Sequence, residues 1–385
     1  MSGLEILSVI WDFLQVAAHR TWNLFLDHPV LWIMLLLLAM MYLKSLRDKK
    51  IEITKSESKY SKIVLDSLEK YIKGYRPTFW LPFSVLKNIW QGDKQIKDMS
   101  VYHRKLFTMF DGEVLAADFY PNNFDQLDSE VPIVFFVPGV FGMSNDSHSL
   151  EFCKILYKRA GWRSCVFNRR GYGGMPIKGT RVLGLTSYDD MHEVIKQISV
   201  MLPKTNIYLV GVSLGAANSQ RYLADFSEEH IVKAAVSISS PWNAHIVTDK
   251  IKKNPFLRKG IHSYQKKLFK EQLAHQSFNE LLKSKNICPQ QVLKTTDNQH
   301  FDDVCSSIGL DLKVKEEYYD ALSTHHLVHE IKIPMLSINS SDDLLIPVNV
   351  IPLGEIKDNP HIVHLQVTGA GHTEYFHGCK AEYVS

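Results

Sequence analysis

Between Ile207 and Leu223 the chain passes from a short apolar segment, Ile207-Tyr208-Leu209-Val210, through Gly211-Val212-Ser213-Leu214-Gly215 into a helical pattern opening with Ala216, Ala217 and Asn218. A strand that turns into a helix over so few residues needs glycines in the turn, because side chains there would collide. The turn lifts its tip residue, here Ser213, above the carboxyl end of the strand, where open α/β sheets bind ligands. G-x-S-x-G alone is a weak sign, since glycine is common. A strand before it and a helix after it predict a nucleophile elbow.

The rest of the chain repeats this strand-helix rhythm. Lys105 to Phe110 and Val114 to Tyr120 flank Asp111-Gly112, a hairpin signal. Val131 to Val137 is a nearly continuous apolar run, as in a strand buried on both faces. A helical pattern over 149–159, a strand over 164–167 and a helix over 187–201 follow, then strands over 207–212, 232–238, 334–338 and 362–367. Strands alternating with helices predict a mostly parallel, doubly wound sheet. The stretch from about Ala244 to Leu327 is helical and polar with no buried-strand run, and it is expected to lie over the strand ends as a lid.

A serine nucleophile needs a base and an orienting acid, and after an elbow of this type the acid precedes the histidine in the chain. Ser340-Ser341-Asp342-Asp343-Leu344-Leu345-Ile346-Pro347 follows one strand end, and Gly369-Ala370-Gly371-His372 follows the next. Among 17 histidines, His372 has the right order and place. The expected triad is Ser213, Asp343 and His372. Val137-Pro138-Gly139-Val140-Phe141-Gly142 ends the first core strand, and the N–H groups of Val140 and Leu214 are the expected oxyanion donors. Asn168-Arg169-Arg170-Gly171-Tyr172-Gly173-Gly174 follows the next strand. Arginines beside glycines suit phosphate, although such loops are more often structural.

Val30 to Leu43 is an uninterrupted apolar run. Extended back to Trp22 it is long enough to cross a bilayer at about 1.5 Å per residue. Acidic residues Glu5, Asp12 and Asp27 precede it with Arg20, whereas Lys44, Arg47, Lys49 and Lys50 follow with only Asp48 opposing. The positive-inside rule then expects the rest of the chain in the cytosol. Five scattered cysteines, never in C-x-x-C spacing, fit reduced thiols there rather than a disulfide framework or a zinc site. The expected organisation is an amphipathic segment over 1–21, a transmembrane helix over 22–43, a charged connector over 44–98 and one α/β domain over 99–385. A net charge of +3, with no zinc-finger, basic-zipper or RNA-stacking pattern, excludes nucleic acid as an expected partner. No metal or organic cofactor is implied. Lys250, Lys252, Lys253, Arg258, Lys259, Lys266, Lys267 and Lys270 cluster at the start of the insertion, as a solvated face or a surface for anionic headgroups.

PGVFG after a strand, FNRRGYGG, GVSLGA, INSSDDLLIP and GAGH behind an N-terminal span resemble the animal membrane-anchored α/β-hydrolase-domain proteins, a family with a branch described as phosphatidylcholine phospholipase. RPTFW (Arg76 to Trp80) and Lys313 to Asp320 also look like that branch, and the resemblance runs from about Lys73 to His377. It implies the α/β-hydrolase fold, the same triad, and a lipid ester substrate handled at a bilayer, such as the endoplasmic reticulum or another internal membrane. In hydrolases of this fold the acid commonly stands four residues before a proline, which favours Asp343, before Pro347, over Asp342. The expected reaction is hydrolysis of a phospholipid or acylglycerol. Transfer of the acyl group to an alcohol and a non-catalytic lipid-binding scaffold are the alternatives. Two departures stand out: the family's helix after the histidine loop is not expected before Ser385, and Thr373 and Glu374 replace small apolar residues, so Glu374 is expected either to compete for the imidazole or to face solvent.

Overall fold

The computed structural model describes residues 15, 28–47, 50–81, 83, 87, 95–182, 185–229, 231–378 and 382–383. The amphipathic segment expected over 1–21, apart from residue 15, and the first part of the expected span, 22–27, lie outside them. The first described helix, α1 (Pro29–Arg47), contains the apolar run Val30 to Leu43. Its large apolar side chains are exposed almost throughout, from Val30 at 69% to Leu43 at 63%. Among the described residues no helix is long and apolar enough to cross a membrane.

Nine strands form one sheet: β1 (Ile51–Lys55), β2 (His103–Thr108), β3 (Val114–Tyr120), β4 (Ile133–Val137), β5 (Arg163–Phe167), β6 (Ile207–Val212), β7 (Val232–Ile238), β8 (Met335–Ser340) and β9 (Ile362–Val367). Their order is β1-β9-β8-β7-β6-β4-β5-β3-β2. The central run from β5 to β9 is parallel, while β2, β3 and β1 pair antiparallel at the two edges. Successive residues of a strand point to opposite faces. Ile133, Phe135 and Val137 of β4 accordingly enter one core with Met191 and Val194. Val134 and Phe136 enter another with Leu150 and Cys153. Helices α2 (Lys59–Gly74), α3 (Ser147–Ala160), α4 (Tyr188–Met201) and α5 (Leu214–Phe226) flank the strands. Burial pushes the Cys153 thiol up to about 12, which suits a packing role.

Two expectations change here. The connector is not a connector throughout: residues 51–55 are an edge strand, with Ile53 opposite Leu365 of β9. Ile51 and Ile53 alternate with Glu52 and Thr54 along the strand, with Ile51 partly buried and Ile53 exposed at this edge. Further along, Tyr75 packs with Val367 and Ala370, and Leu81 with Phe376, so this stretch belongs to the hydrolase domain. The insertion between β7 and β8 is helical as expected, including α6 (Ala244–Lys253), α7 (Pro255–Gln272), α8 (Gln276–Ser284) and α9 (Lys315–Leu322). It is not merely polar: Leu268, Phe269, Phe278, Leu282, Val292 and Phe301 build a core of its own, closed by Tyr172 and Ile177 of the sheet's loops. Among the described residues after His372 there is no helix, only Phe376–His377 paired with Glu382–Tyr383. The chain there is held by Arg76, which bonds through its backbone to the His377 ring and to Gly378, and by Thr78.

Candidate active site

The turn between β6 and α5 leaves no room for side chains. A Cβ added at Gly211 would lie 2.5 Å from the Gly215 carbonyl and 2.8 Å from Ala216 Cα, and one at Gly215 would collide with the Val137 carbonyl. Ser213 sits at the tip with φ 56°, a left-handed conformation costly for a residue with a side chain. Its N–H donates to Ile238 O at 2.8 Å, which anchors the strained residue to β7.

The loops after β8 and β9 converge on that serine. The Ser213 hydroxyl donates to His372 Nε2 at 2.8 Å, and His372 Nδ1–H donates to Asp343 Oδ2 at 2.7 Å. The other Asp343 oxygen accepts from the N–H groups of Leu345 (2.7 Å) and Ile346 (2.9 Å), so the carboxylate is fully engaged. Burial raises the Asp343 carboxyl, but His372 and these two amides outweigh it and hold the group below its ordinary value. Burial likewise disfavours the His372 cation, yet Asp343, with Glu374 behind it, raises the imidazole above its ordinary value. Asp342 turns the other way and accepts from the Gly369 N–H at 2.7 Å, while Ser340 Oγ donates to Ala370 O at 2.9 Å. These two bonds tie the acid loop to the histidine loop.

The Gly139-Val140 segment lies beside the nucleophile: a Cβ on Gly139 would sit 3.3 Å from Ser213 Cβ. The Gly142 N–H donates to Gly139 O at 3.0 Å and closes the turn. Leu214 is the first residue of α5, where an amide has no acceptor within the helix. Leu214 thus follows Ser213 directly, and Val140 follows Gly139, the residue that approaches Ser213. Phosphate finds no ready partner in the Asn168–Gly174 loop. Arg170 is buried between Asp111, Asp190 and Glu113, and Arg169 donates to three backbone carbonyls.

Several contributors come from outside the motifs that mark the triad. Tyr75 and Lys87, buried in the former connector, both donate to Gly369 O beneath the histidine loop. Ser239 (φ 53°) donates to the His372 carbonyl. Glu374 does not face solvent: it is buried at 5% exposure against Gly371, with its carboxyl raised by burial. From the insertion, Lys250 donates to Asp343 O at 3.1 Å and Tyr264 to Phe141 O at 3.1 Å. Only the three-dimensional arrangement brings these residues together.

A doubly wound sheet with a serine elbow and facing imidazole and carboxylate loops is the frame of a carboxylic ester hydrolase. Residues 132–378 match the family described as alpha/beta hydrolase fold, and the chain belongs to that family. The chain is similar to phospholipase ABHD3 of Bos taurus, 25% identical over 350 residues, covering 88% of this chain and 82% of that one. This bears out the animal branch that the motifs resemble. A monoacylglycerol lipase of Saccharomyces cerevisiae is 22% identical over 253 residues, covering 65% of this chain and 56% of that one. Among solved structures, the Pyrococcus furiosus esterase Pf2001 covers 73% of this chain and 86% of its own, at 18% identity and a TM-score of 0.47.

Proposed function

We propose that this chain hydrolyses the carboxylic esters of lipids, phospholipid or acylglycerol, at a membrane, with Ser213, His372 and Asp343 as its triad. The observation that carries the reading is the continuous hydrogen-bond chain from Ser213 Oγ through His372 to Asp343 Oδ2. Ser213 attacks the acyl carbonyl while His372 Nε2 takes its proton, and Asp343 holds the tautomer and steadies the imidazolium. The N–H groups of Val140 and Leu214 receive the oxyanion. His372 then protonates the leaving alcohol, an acyl-Ser213 remains, and water activated by His372 releases the fatty acid. The lipid substrate is supported by the phospholipase and lipase names of the relatives. The membrane is supported by the exposed apolar side of α1, a surface that water disfavours. In this reading α1 with the preceding residues anchors the chain in an internal membrane, the catalytic domain faces the cytosol, and the helical insertion acts as a lid.

The test is fluorophosphonate labelling followed by analysis of lipid products from vesicles. Wild type labels once and releases free fatty acid, and Ser213→Ala does neither. Unchanged fatty-acid release by Ser213→Ala, with the protein folded, removes the triad reading. Fatty-acid esters in place of free acid when an alcohol is added mark acyl transfer instead.

A further inference from the structure

Three consecutive peptide carbonyls beside the nucleophile are gathered onto one side chain. Arg169 Nη1 donates to Pro138 O at 3.3 Å, and Nη2 donates to Gly139 O at 2.8 Å and Val140 O at 2.9 Å. The guanidinium is 3% exposed and stacks over the Tyr172 ring at 4.5 Å. Tyr172 in turn donates its hydroxyl to Val140 O at 2.8 Å. The planar fork of arginine presents several donors in one fixed plane, and lysine cannot reproduce that.

A trans peptide unit is planar, and its C=O and N–H point in opposite directions. The Gly139 carbonyl and the Val140 amide belong to the same unit. Holding Gly139 O on Arg169 therefore turns the Val140 N–H away from the guanidinium. Holding Val140 O between Arg169 and Tyr172 fixes the next unit, so the Val140 N–H is clamped from both sides. A cation on the carbonyl end also polarises the unit and makes its amide the stronger donor, an effect enlarged by burial. We infer that Arg169, assisted by Tyr172, is the positioning residue of the oxyanion site: it sets the direction and donor strength of the Val140 N–H without touching substrate. The inference rests on the reading of Ser213 as nucleophile and Val140 as oxyanion donor.

The loop does not depend on Arg169 for its existence. Without the guanidinium, Gly139 O keeps the Gly142 N–H and Val140 O keeps the Tyr172 hydroxyl. Arg169→Met is thus expected to fold with the turn present but its amide less firmly aimed and less polarised. The experiment compares wild type, Arg169→Met, Arg169→Lys and Tyr172→Phe on a soluble short-chain ester and against a trifluoromethyl ketone, whose adduct with Ser213 places an oxyanion in the hole. Removing an oxyanion donor outright costs about 10²–10³ in turnover. Misdirecting one is expected to cost Arg169→Met about 10–10² in kcat, with KM unchanged and ketone affinity lowered by the same factor. The acid limb of the pH profile stays in place, because His372 is untouched. Arg169→Lys recovers only part of the loss, and Tyr172→Phe shows the same pattern on a smaller scale. Wild-type kcat and ketone affinity in folded Arg169→Met overturn the inference. So does a loss that appears in KM or moves the acid limb. Ser213→Ala runs alongside: if it keeps its activity, the triad reading has failed, and a dead Ser213→Ala with a fully active Arg169→Met refutes the positioning role alone.

Discussion

Asp342 and Asp343 are adjacent in the chain, yet one faces the imidazole and the other the neighbouring loop. Successive residues leaving a strand point to opposite sides. Asp343→Asn keeps the shape of the acid but favours the wrong imidazole tautomer, a change that costs about 10⁴ in turnover in serine proteases. A similar fall is expected here, with the melting temperature little changed. Asp342→Asn keeps an oxygen for the Gly369 N–H and loses only its charge, so about 1 kcal/mol of stability or less is expected, with turnover retained. Turnover and thermal unfolding of the two purified variants check both, and a dead Asp342→Asn beside an active Asp343→Asn reverses the assignment. The imidazole also has two charged neighbours of opposite sign. Glu374 raises the His372 value and Lys250 lowers it. Catalysis needs neutral His372, so kcat/KM falls as pH drops through that raised value. Glu374→Gln removes an anion that favours the cation, and the acid limb is expected to move to lower pH. Lys250→Met removes a cation that opposes it, and the limb is expected to move to higher pH. Matching profiles for both variants and wild type would mean that neither charge reaches the ring.

At the scale of elements, the legible parts are those whose residues declare their own environment. Strands Ile207–Val212, Val232–Ile238 and Ile362–Val367 have the bounds that their largely apolar runs predict, even though Lys233, Ser237, His364 and Gln366 lie within two of them. β1 stayed hidden because an edge strand of five residues mixes Glu52, Thr54 and Lys55 with two isoleucines and reads as part of a charged connector. The insertion's core was equally obscure: its apolar residues are spread over several short helices and meet only when those helices pack. The proposed triad has a signature because each member follows a strand end in a fixed order, whereas the grip of Arg169 on three carbonyls leaves no spacing to recognise. The insertion also carries a surface with a test of its own. Phe256 is 89% exposed at the start of α7, and Lys252, Lys253 and Lys259, within four residues of it in the chain, are exposed too. An exposed apolar side chain on a segment with exposed lysines suits an anionic lipid surface, at about 1 kcal/mol per basic residue. Replacing Lys252 and Lys253 with Ala is expected to weaken binding to anionic vesicles by roughly fivefold per residue at low salt, and less in high salt. Turnover of a water-soluble ester should not change. Equal vesicle binding by variant and wild type would reduce the lysines to a solvated face.

For the whole molecule, the proposed arrangement is an apolar anchor at one end of the chain and a catalytic domain facing the cytosol. Intact microsomes treated with protease are expected to lose the catalytic domain without detergent, and a domain that resists until detergent is added has the opposite orientation. The sheet adds a feature of timing. β1 is the first described strand of the sheet to be synthesised, and its partner β9 comes about 300 residues later. At ribosomal rates of about 5–20 residues per second, β1 waits roughly 15–60 s with its edge unpaired. Pairings so distant in sequence are slow to form and open to wrong partners in the meantime. β9 leads directly into the loop of His372, so the last strand of the sheet is also the one that delivers the proposed base to Ser213. On the proposed reading, a nascent chain therefore holds its nucleophile long before it has any means to use it, and its reactivity begins only when the two ends of the chain have found each other.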